Sequence, residues 1–208
     1  MVTDLRASDL RVGGLSRLSM YDWPGELVAT VFCQGCPWNC VYCHNPHLIP
    51  PPAKTDLAWN DVLTFLEGRS GLLDGVVFFG GEPTLLKALP EAMRAVRDMA
   101  FSIGLHNGGP YPARLDEILP LTDWVVYDVK AAFADYERIT GVPGSGEKAR
   151  AGLECVLESG VACDIRTTVY EPLFNEAALQ RLSSDLAAMG VRNHRLQLFR
   201  STGVRPAA

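Results

Sequence analysis

The 208-residue chain carries 19 lysines and arginines against 24 aspartates and glutamates, and a net charge of −5 excludes nucleic-acid binding through a broadly basic face. The length suits one domain, residues 1–208, with a sizeable core, and no run approaches the roughly 18 apolar residues of a membrane-spanning helix. Asp4, Arg6, Asp9 and Arg11 interrupt any apolar stretch of a secretion signal, so a cytoplasmic location with no membrane or nucleic-acid partner is expected.

Beyond an amino-terminal segment, residues 1–25, that closes at Trp23-Pro24-Gly25, β-rich and helix-like runs alternate to the end of the chain. The first predicted strand is Leu27–Cys33. Directly after it come Cys36, Cys40 and Cys43, spaced C-x3-C-x2-C, which lets one loop wrap three thiolates around one centre. A structural zinc site wants four protein ligands, commonly as two separated pairs, whereas an iron-sulfur cube held by three thiolates leaves one iron open. Cys33 supplies a formal fourth thiolate, so a zinc-stabilised binding module stays open as a reading. Against it, paired zinc knuckles are usually separated by roughly 12 to 20 residues, and here only Pro37, Trp38 and Asn39 intervene. Cys33 also ends a β-rich run, where a buried cysteine is an ordinary small apolar residue. Four of the six cysteines crowd into one loop, which fits metal binding in a reducing compartment better than a disulfide framework, and Cys155 and Cys163 read as isolated core residues. An open cluster of this kind is expected to be oxygen-sensitive, which points to anaerobic function.

Tyr42 offers either a ring to stack on a nucleobase or ordinary core packing. His44 and His47 follow the cysteine loop, where a backbone hydrogen bond is the plainer role for a histidine. Pro50, Pro51 and Pro52 form a stiff connector, and a helix is predicted over Asp56–Glu67, capped by Thr55.

The second strand, Gly75–Phe79, runs into Gly80-Gly81-Glu82-Pro83. Two glycines there serve a tight turn or let backbone approach a ligand, and Pro83 suits a helix start. A helix over Leu85–Ala100, a third strand over Phe101–His106 and a helix over Ala113–Leu119 follow. The fourth strand, Trp124–Val129, leads into Lys130, and alternation puts Asp128 and Lys130 on one face. Lys130 is one of four lysines against fifteen arginines. The pair is either a surface ion pair or part of a site. Gly141–Gly146 reads as a turn or mobile loop before a helix over Gly146–Ser159. On the fifth strand, Asp164–Val169, Arg166 is either an edge charge or an interior receptor for a carboxylate. Glu176–Met189, capped by Asn175, and a sixth strand over Arg195–Phe199 complete the pattern.

A βα unit takes about 30 residues, so six units fit this length and eight do not. The expected fold is α/β, a partial (β/α)6 TIM-like barrel on a parallel sheet, whose ligands would sit at the carboxyl ends of the strands.

The C-x3-C-x2-C loop with an aromatic residue before its last cysteine, followed by Gly80-Gly81-Glu82-Pro83, resembles the radical S-adenosylmethionine superfamily. The segment from Gly14 to Gly25, Gln34 to Cys36, Tyr42 to Pro46, Asp128 to Lys130, Tyr136 to Gly141 and Arg166 to Val169 is similar to glycyl-radical-enzyme activases. Among them the chain looks most like the activating proteins of anaerobic ribonucleoside-triphosphate reductase. The resemblance implies a [4Fe-4S] cluster on Cys36, Cys40 and Cys43 and S-adenosylmethionine chelating the fourth iron. It implies that Gly80, Gly81 and Glu82 meet the methionine amino group, that Tyr42 lies against adenine, and that Asp128, Lys130 and Arg166 line the methionine and ribose side. Reductive cleavage would give a 5′-deoxyadenosyl radical that takes a hydrogen atom from a glycine of a partner enzyme, with a flavodoxin- or ferredoxin-type electron donor. No catalytic residue separate from the cofactor site is expected. The chain departs from many activases at Leu105-His106-Asn107-Gly108-Gly109, where they read Leu-Asp-Thr-Asn-Gly, and a monovalent-cation site that uses the aspartate is not carried over. Activation of pyruvate formate-lyase, or small-molecule chemistry such as a deazaguanine-forming ring contraction, are the alternative enzyme readings. The activase-like Asp22-Trp23-Pro24-Gly25 argues against the second of these.

Overall fold

In the computed structural model, which describes residues 6–50, 57–202 and 204, seven strands form one sheet whose order follows the chain. They are β1 (Val12–Ser19), β2 (Val28–Cys33), β3 (Gly75–Gly80), β4 (Ser102–Asn107), β5 (Trp124–Asp128), β6 (Ala162–Val169) and β7 (His194–Leu198). From β2 to β7 every pairing is parallel, whereas β1 pairs antiparallel with β2. A sheet whose order never reverses curls in one direction, and with β1 and β7 at opposite ends it stays an open, partial barrel. The six expected parallel strands are present, with shifts of one or two residues at their ends.

The antiparallel β1 was not expected within the amino-terminal segment. Its sequence, with Gly13 and Gly14 and no clean alternation, carries little strand signal, and its pairing with β2 is what holds it extended. A short helix, α4 (Tyr136–Thr140), also lies in a stretch that sequence periodicity leaves blank, because five residues span little more than one turn.

The other helices are α1 (Trp59–Glu67), α2 (Leu89–Asp98), α3 (Pro112–Ile118), α5 (Ser145–Ser159) and α6 (Glu176–Ala188). Their buried residues recur every three or four positions, as with Leu89, Met93 and Val96 in α2 and Ala178, Leu182 and Leu186 in α6. These stripes cover the outer face of the sheet. Asn175 caps α6 as expected, its Oδ1 accepting from the Ala178 amide at 2.9 Å. The expected cap at Thr55, the start of α1 at Asp56, and Pro51 and Pro52 lie outside the described residues. Gly141 and Gly144, both at φ 70°, end α4 and start α5, so the predicted loop is a two-glycine turn between helices. Cys155 and Cys163 pack against the core but are only half-buried. Among the described residues no helix is long and apolar enough to cross a membrane.

Candidate functional site

Strand alternation sorts β2 to β6 into two faces. Thr30 and Phe32 of β2, Phe79 of β3, His106 of β4, Trp124 and Asp128 of β5 and Arg166 of β6 face inward, where they touch one another or the β1–β2 turn. Cys33 therefore faces outward. It is fully buried in the layer between sheet and helices and does not line the cavity. Its thiol is held far above its usual range by burial and then by the charge of Glu82. The four-thiolate arrangement needed for a zinc knuckle is not formed.

Above the inward face, at the carboxyl ends of the strands, lies a cavity of about 120 Å³ lined by Cys36, Cys40, Cys43, Tyr42, Gly80, Gly81, Glu82, Asp128 and Lys130. Of the ten sequence-predicted site residues only Arg166 is absent from its wall. The cysteine loop is fixed by backbone bonds. Asn39 N donates to Thr140 O at 2.9 Å and Val41 N to Ile139 O at 3.0 Å, so the short α4 anchors it from one side. Gly35 N to Leu48 O at 2.7 Å and Cys36 N to Ile49 O at 3.0 Å anchor it from the other. Trp38 packs edge-on against Tyr136, 5.9 Å between centroids, and lies over Gly108, where an added Cβ would come within 2.7 Å of its ring. Tyr42 is buried. Its hydroxyl donates to Lys130 O at 3.2 Å and its ring packs 5.8 Å from Tyr170.

The glycines after β3 serve the protein's own close approaches. Gly80 has φ 110°, and a Cβ there would lie 2.6 Å from Cys33 N; one on Gly81 would lie 2.3 Å from Gly35 O. Glu82 is buried, and its carboxylate accepts from Thr84 N at 3.0 Å, from the Thr84 hydroxyl and from Gly108 N at 3.1 Å. It ties the end of β3 to the end of β4. Burial raises its pKa, against the pull of those hydrogen bonds.

On the opposite wall Asp128 is the hub. Its Oδ1 accepts from Arg166 Nε at 2.8 Å and its Oδ2 from Lys130 Nζ at 3.2 Å, each side chain about one-fifth exposed. Burial pushes the carboxyl up, but Lys130 and Arg166 outweigh it and hold the group below the usual carboxylate range. Lys130 is likewise held above its ordinary range although burial opposes its charge, because Asp128 faces it. Arg166 lies beneath the cavity, its Nη2 donating to His106 Nδ1 at 3.2 Å.

His106 is 2% exposed, and burial together with the Arg166 guanidinium lowers its pKa to about 4. The unfolded chain would titrate near 6.5, so between these values it binds more protons than the fold and stability drops as pH falls. Moving from pH 7 to pH 5 is expected to lower unfolding free energy by about 2 kcal/mol through this group. Urea unfolding at the two pH values checks it: a His106→Gln variant should lose that slope, and an unchanged slope would assign the effect elsewhere.

Sequence reasoning missed Asn107 and Thr168, which also line the cavity. The rule that ligands gather at strand carboxyl ends would have found both. Asn107 has both side-chain polar atoms buried without a partner, which ordinarily destabilises by about 1–3 kcal/mol for each group.

Burial raises the Cys36 thiol to about 12, with the charge of Glu82 adding, and the Cys40 thiol to about 11, with Lys130 opposing. Only a bound cationic centre would make these good thiolate ligands, at the expense of their protons. Among the described residues no three His, Cys, Asp or Glu side chains converge tightly enough for a single metal ion, although three thiols share one cavity. Soft donors spread round a space wider than one ion, beside an unpaired amide and an ammonium, fit an iron-sulfur cluster with a polar ligand next to it.

A model of the Radical SAM superfamily matches residues 30–176. A protein of Methanocaldococcus jannaschii named as a glycyl-radical enzyme activating enzyme is 28% identical over 182 residues, covering 83% of this chain and 73% of that one. The pyruvate formate-lyase-activating enzyme of Clostridium pasteurianum is 30% identical over 137 residues, 63% of this chain and 57% of that one. Among solved structures, Streptococcus suis SuiB bound to S-adenosylmethionine superposes with a TM-score of 0.63 at 14% identity, over 83% of this chain and 41% of that one. QueE from Escherichia coli gives 0.51 at 15% identity, over 91% and 93%. At these identities the two structures speak for the fold alone.

Proposed function

Because this chain belongs to the Radical SAM superfamily, we propose that it is a glycyl-radical-enzyme activase that holds a [4Fe-4S] cluster on Cys36, Cys40 and Cys43 and cleaves S-adenosylmethionine. The carrying observation is one cavity that joins the three thiols to Gly80, Gly81, Glu82, Tyr42, Asp128 and Lys130. The cluster, when bound, would supply the one electron that reductive cleavage of a carbon-sulfur bond of S-adenosylmethionine requires, and Cys36, Cys40 and Cys43 would hold it. With S-adenosylmethionine held there, the products would be methionine and 5′-deoxyadenosine, the latter carrying the hydrogen atom removed from a glycine of the partner protein.

The chain's own residues bind, orient and shield. Lys130 has one anionic partner, Asp128, and keeps N–H groups for a ligand carboxylate. Gly80 and Gly81 line the cavity, where their backbone would meet a ligand amine, while the Glu82 side chain is committed to Thr84 and Gly108. Tyr42, Tyr170 and Phe199 form an aromatic wall beside the cysteine loop, where an adenine face would stack. A flavodoxin- or ferredoxin-type protein would deliver the electron.

For the partner, the motif resemblance favours anaerobic ribonucleoside-triphosphate reductase. The named relative from Clostridium pasteurianum favours pyruvate formate-lyase as the second reading. The test is anaerobic reconstitution with iron and sulfide, then reduction with S-adenosylmethionine, following 5′-deoxyadenosine and methionine by chromatography. Both products should appear in equal amounts, and either partner enzyme, when added, should give a glycyl-radical signal in electron paramagnetic resonance. A colourless protein that cleaves nothing would sink the proposal.

A further inference from the structure

The turn Asp22-Trp23-Pro24-Gly25 does not line the cavity, and the buried His106 lines it without a role assigned above, yet a continuous set of contacts joins both to Lys130. Asp22 Oδ2 accepts from Thr30 Oγ1 at 2.6 Å, which fixes the turn against β2. The Trp23 ring stacks on Trp124, 5.3 Å between centroids at 13°, and lies over Gly104, where an added Cβ would come within 2.9 Å of it. The turn thus closes the barrel beneath the cavity. His106 Nε2 meets Asp22 O at 2.7 Å. A carbonyl only accepts, so Nε2 carries the proton and Nδ1 presents its lone pair, which Arg166 Nη2 meets at 3.2 Å. Arg166 then holds one oxygen of Asp128, and the other oxygen holds Lys130, which lines the cavity.

We infer that His106 is a positioning residue: the β1–β2 turn sets its tautomer, and through Arg166 and Asp128 it aims the Lys130 ammonium at the carboxylate of an amino-acid ligand. A guanidinium held at Nε and Nη2 by two fixed acceptors cannot rotate, so it fixes the plane of the Asp128 carboxylate. Without the Nδ1 lone pair, Arg166 is free to swing and takes Asp128 with it. The ligand side of this inference rests on the reading that the cavity binds S-adenosylmethionine.

Two measurements test it. The first is equilibrium binding of S-adenosylmethionine, and of its decarboxylated analogue, to reconstituted wild type, His106→Phe and His106→Gln under anaerobic conditions, with melting temperature as a control. Phenylalanine keeps the ring contacts to Phe79 and Trp124 but removes both hydrogen bonds. His106→Phe should bind S-adenosylmethionine about tenfold more weakly, with little change for the analogue that lacks the carboxylate. His106→Gln, with a donor and an acceptor, should recover most of the loss. Equal weakening for both ligands, or unchanged affinity in His106→Phe, overturns the inference and leaves the S-adenosylmethionine reading standing. Wild type that binds neither ligand overturns that reading and the aiming role together. The second measurement, 15N imidazole NMR of the full chain, is independent of any ligand: a neutral His106 protonated at Nε2 is expected, and an Nδ1–H tautomer overturns the inference by itself.

Discussion

Replacing Cys40 with alanine is expected to abolish iron-sulfide loading and, with it, all cleavage of S-adenosylmethionine. The loop around Cys40 is held by main-chain bonds from Asn39 and Val41 to Thr140 and Ile139, none of which uses the thiol. The substitution therefore removes a ligand and leaves the loop in place, so circular dichroism should be unchanged. Cys36 and Cys43 alone cannot hold a cube that needs three thiolates from the protein. Cys33→Ala is the matched control. It removes a buried sulfur from the outer core, costs about 1 kcal/mol of stability through a small cavity, and should leave loading and cleavage intact, because that side chain is on the other face of β2. Iron content and the visible absorption of the reconstituted proteins decide. Full loading of Cys40→Ala, or loss of loading in Cys33→Ala, would overturn the three-thiolate assignment.

Asp128→Ala is expected to destabilise the fold by about 3 kcal/mol and to reduce S-adenosylmethionine cleavage to near background. Breaking a buried ion pair from one side leaves uncompensated charge, typically at a cost of about 3–5 kcal/mol, and here two cations lose the same partner. The lower end of that range applies because each side chain keeps about one-fifth exposure to water. Asp128→Asn should recover shape but not charge and fall between the two. Since Asp128 is held below the usual carboxylate range, its contribution is present at neutral pH and fades only as pH falls below about 4. Urea unfolding of the three proteins at pH 7 measures the effect. A loss under about 0.5 kcal/mol, the size of an ordinary surface change, would mean that Lys130 and Arg166 are solvated rather than held by Asp128.

Much of this was legible in one dimension. The β-rich runs located β2 to β7: β2, β3 and β5, buried between a filled interior and a helix layer, read as apolar stretches, whereas the partly buried β6 and the largely exposed β7 do not. Alternation put Asp128 with Lys130, and the structure pairs them at 3.2 Å. The cap at Asn175 and the outward burial of Cys33 followed from local rules of the same kind. The glycines after β3 were legible as necessary but not for their reason: both are required by backbone of β2 and its loop rather than by open space for a ligand. β1 and α4 were not legible, since one is held by a single neighbour strand and the other is barely a turn long.

By itself the sequence determined the fold class, the cysteine loop and the identities of nine of the seventeen residues that line the cavity, because periodicity and short spacings are local properties that a chain writes in order. Only the tertiary structure decided which groups act together. Asp22, Thr30, His106, Asp128 and Arg166 come from four strands and a turn, separated by up to 84 residues along a single hydrogen bond. Their roles depend on which atom faces which inside the barrel. So it fell to the fold to place Arg166 beneath the cavity, to bind the Glu82 carboxylate to Gly108, and to leave the Asn107 amide unpaired beside the thiols. Hydrogen bonds and charge pairs of this kind form between residues that only sheet curvature brings within 3 Å or so of each other, and no spacing rule along the chain encodes that.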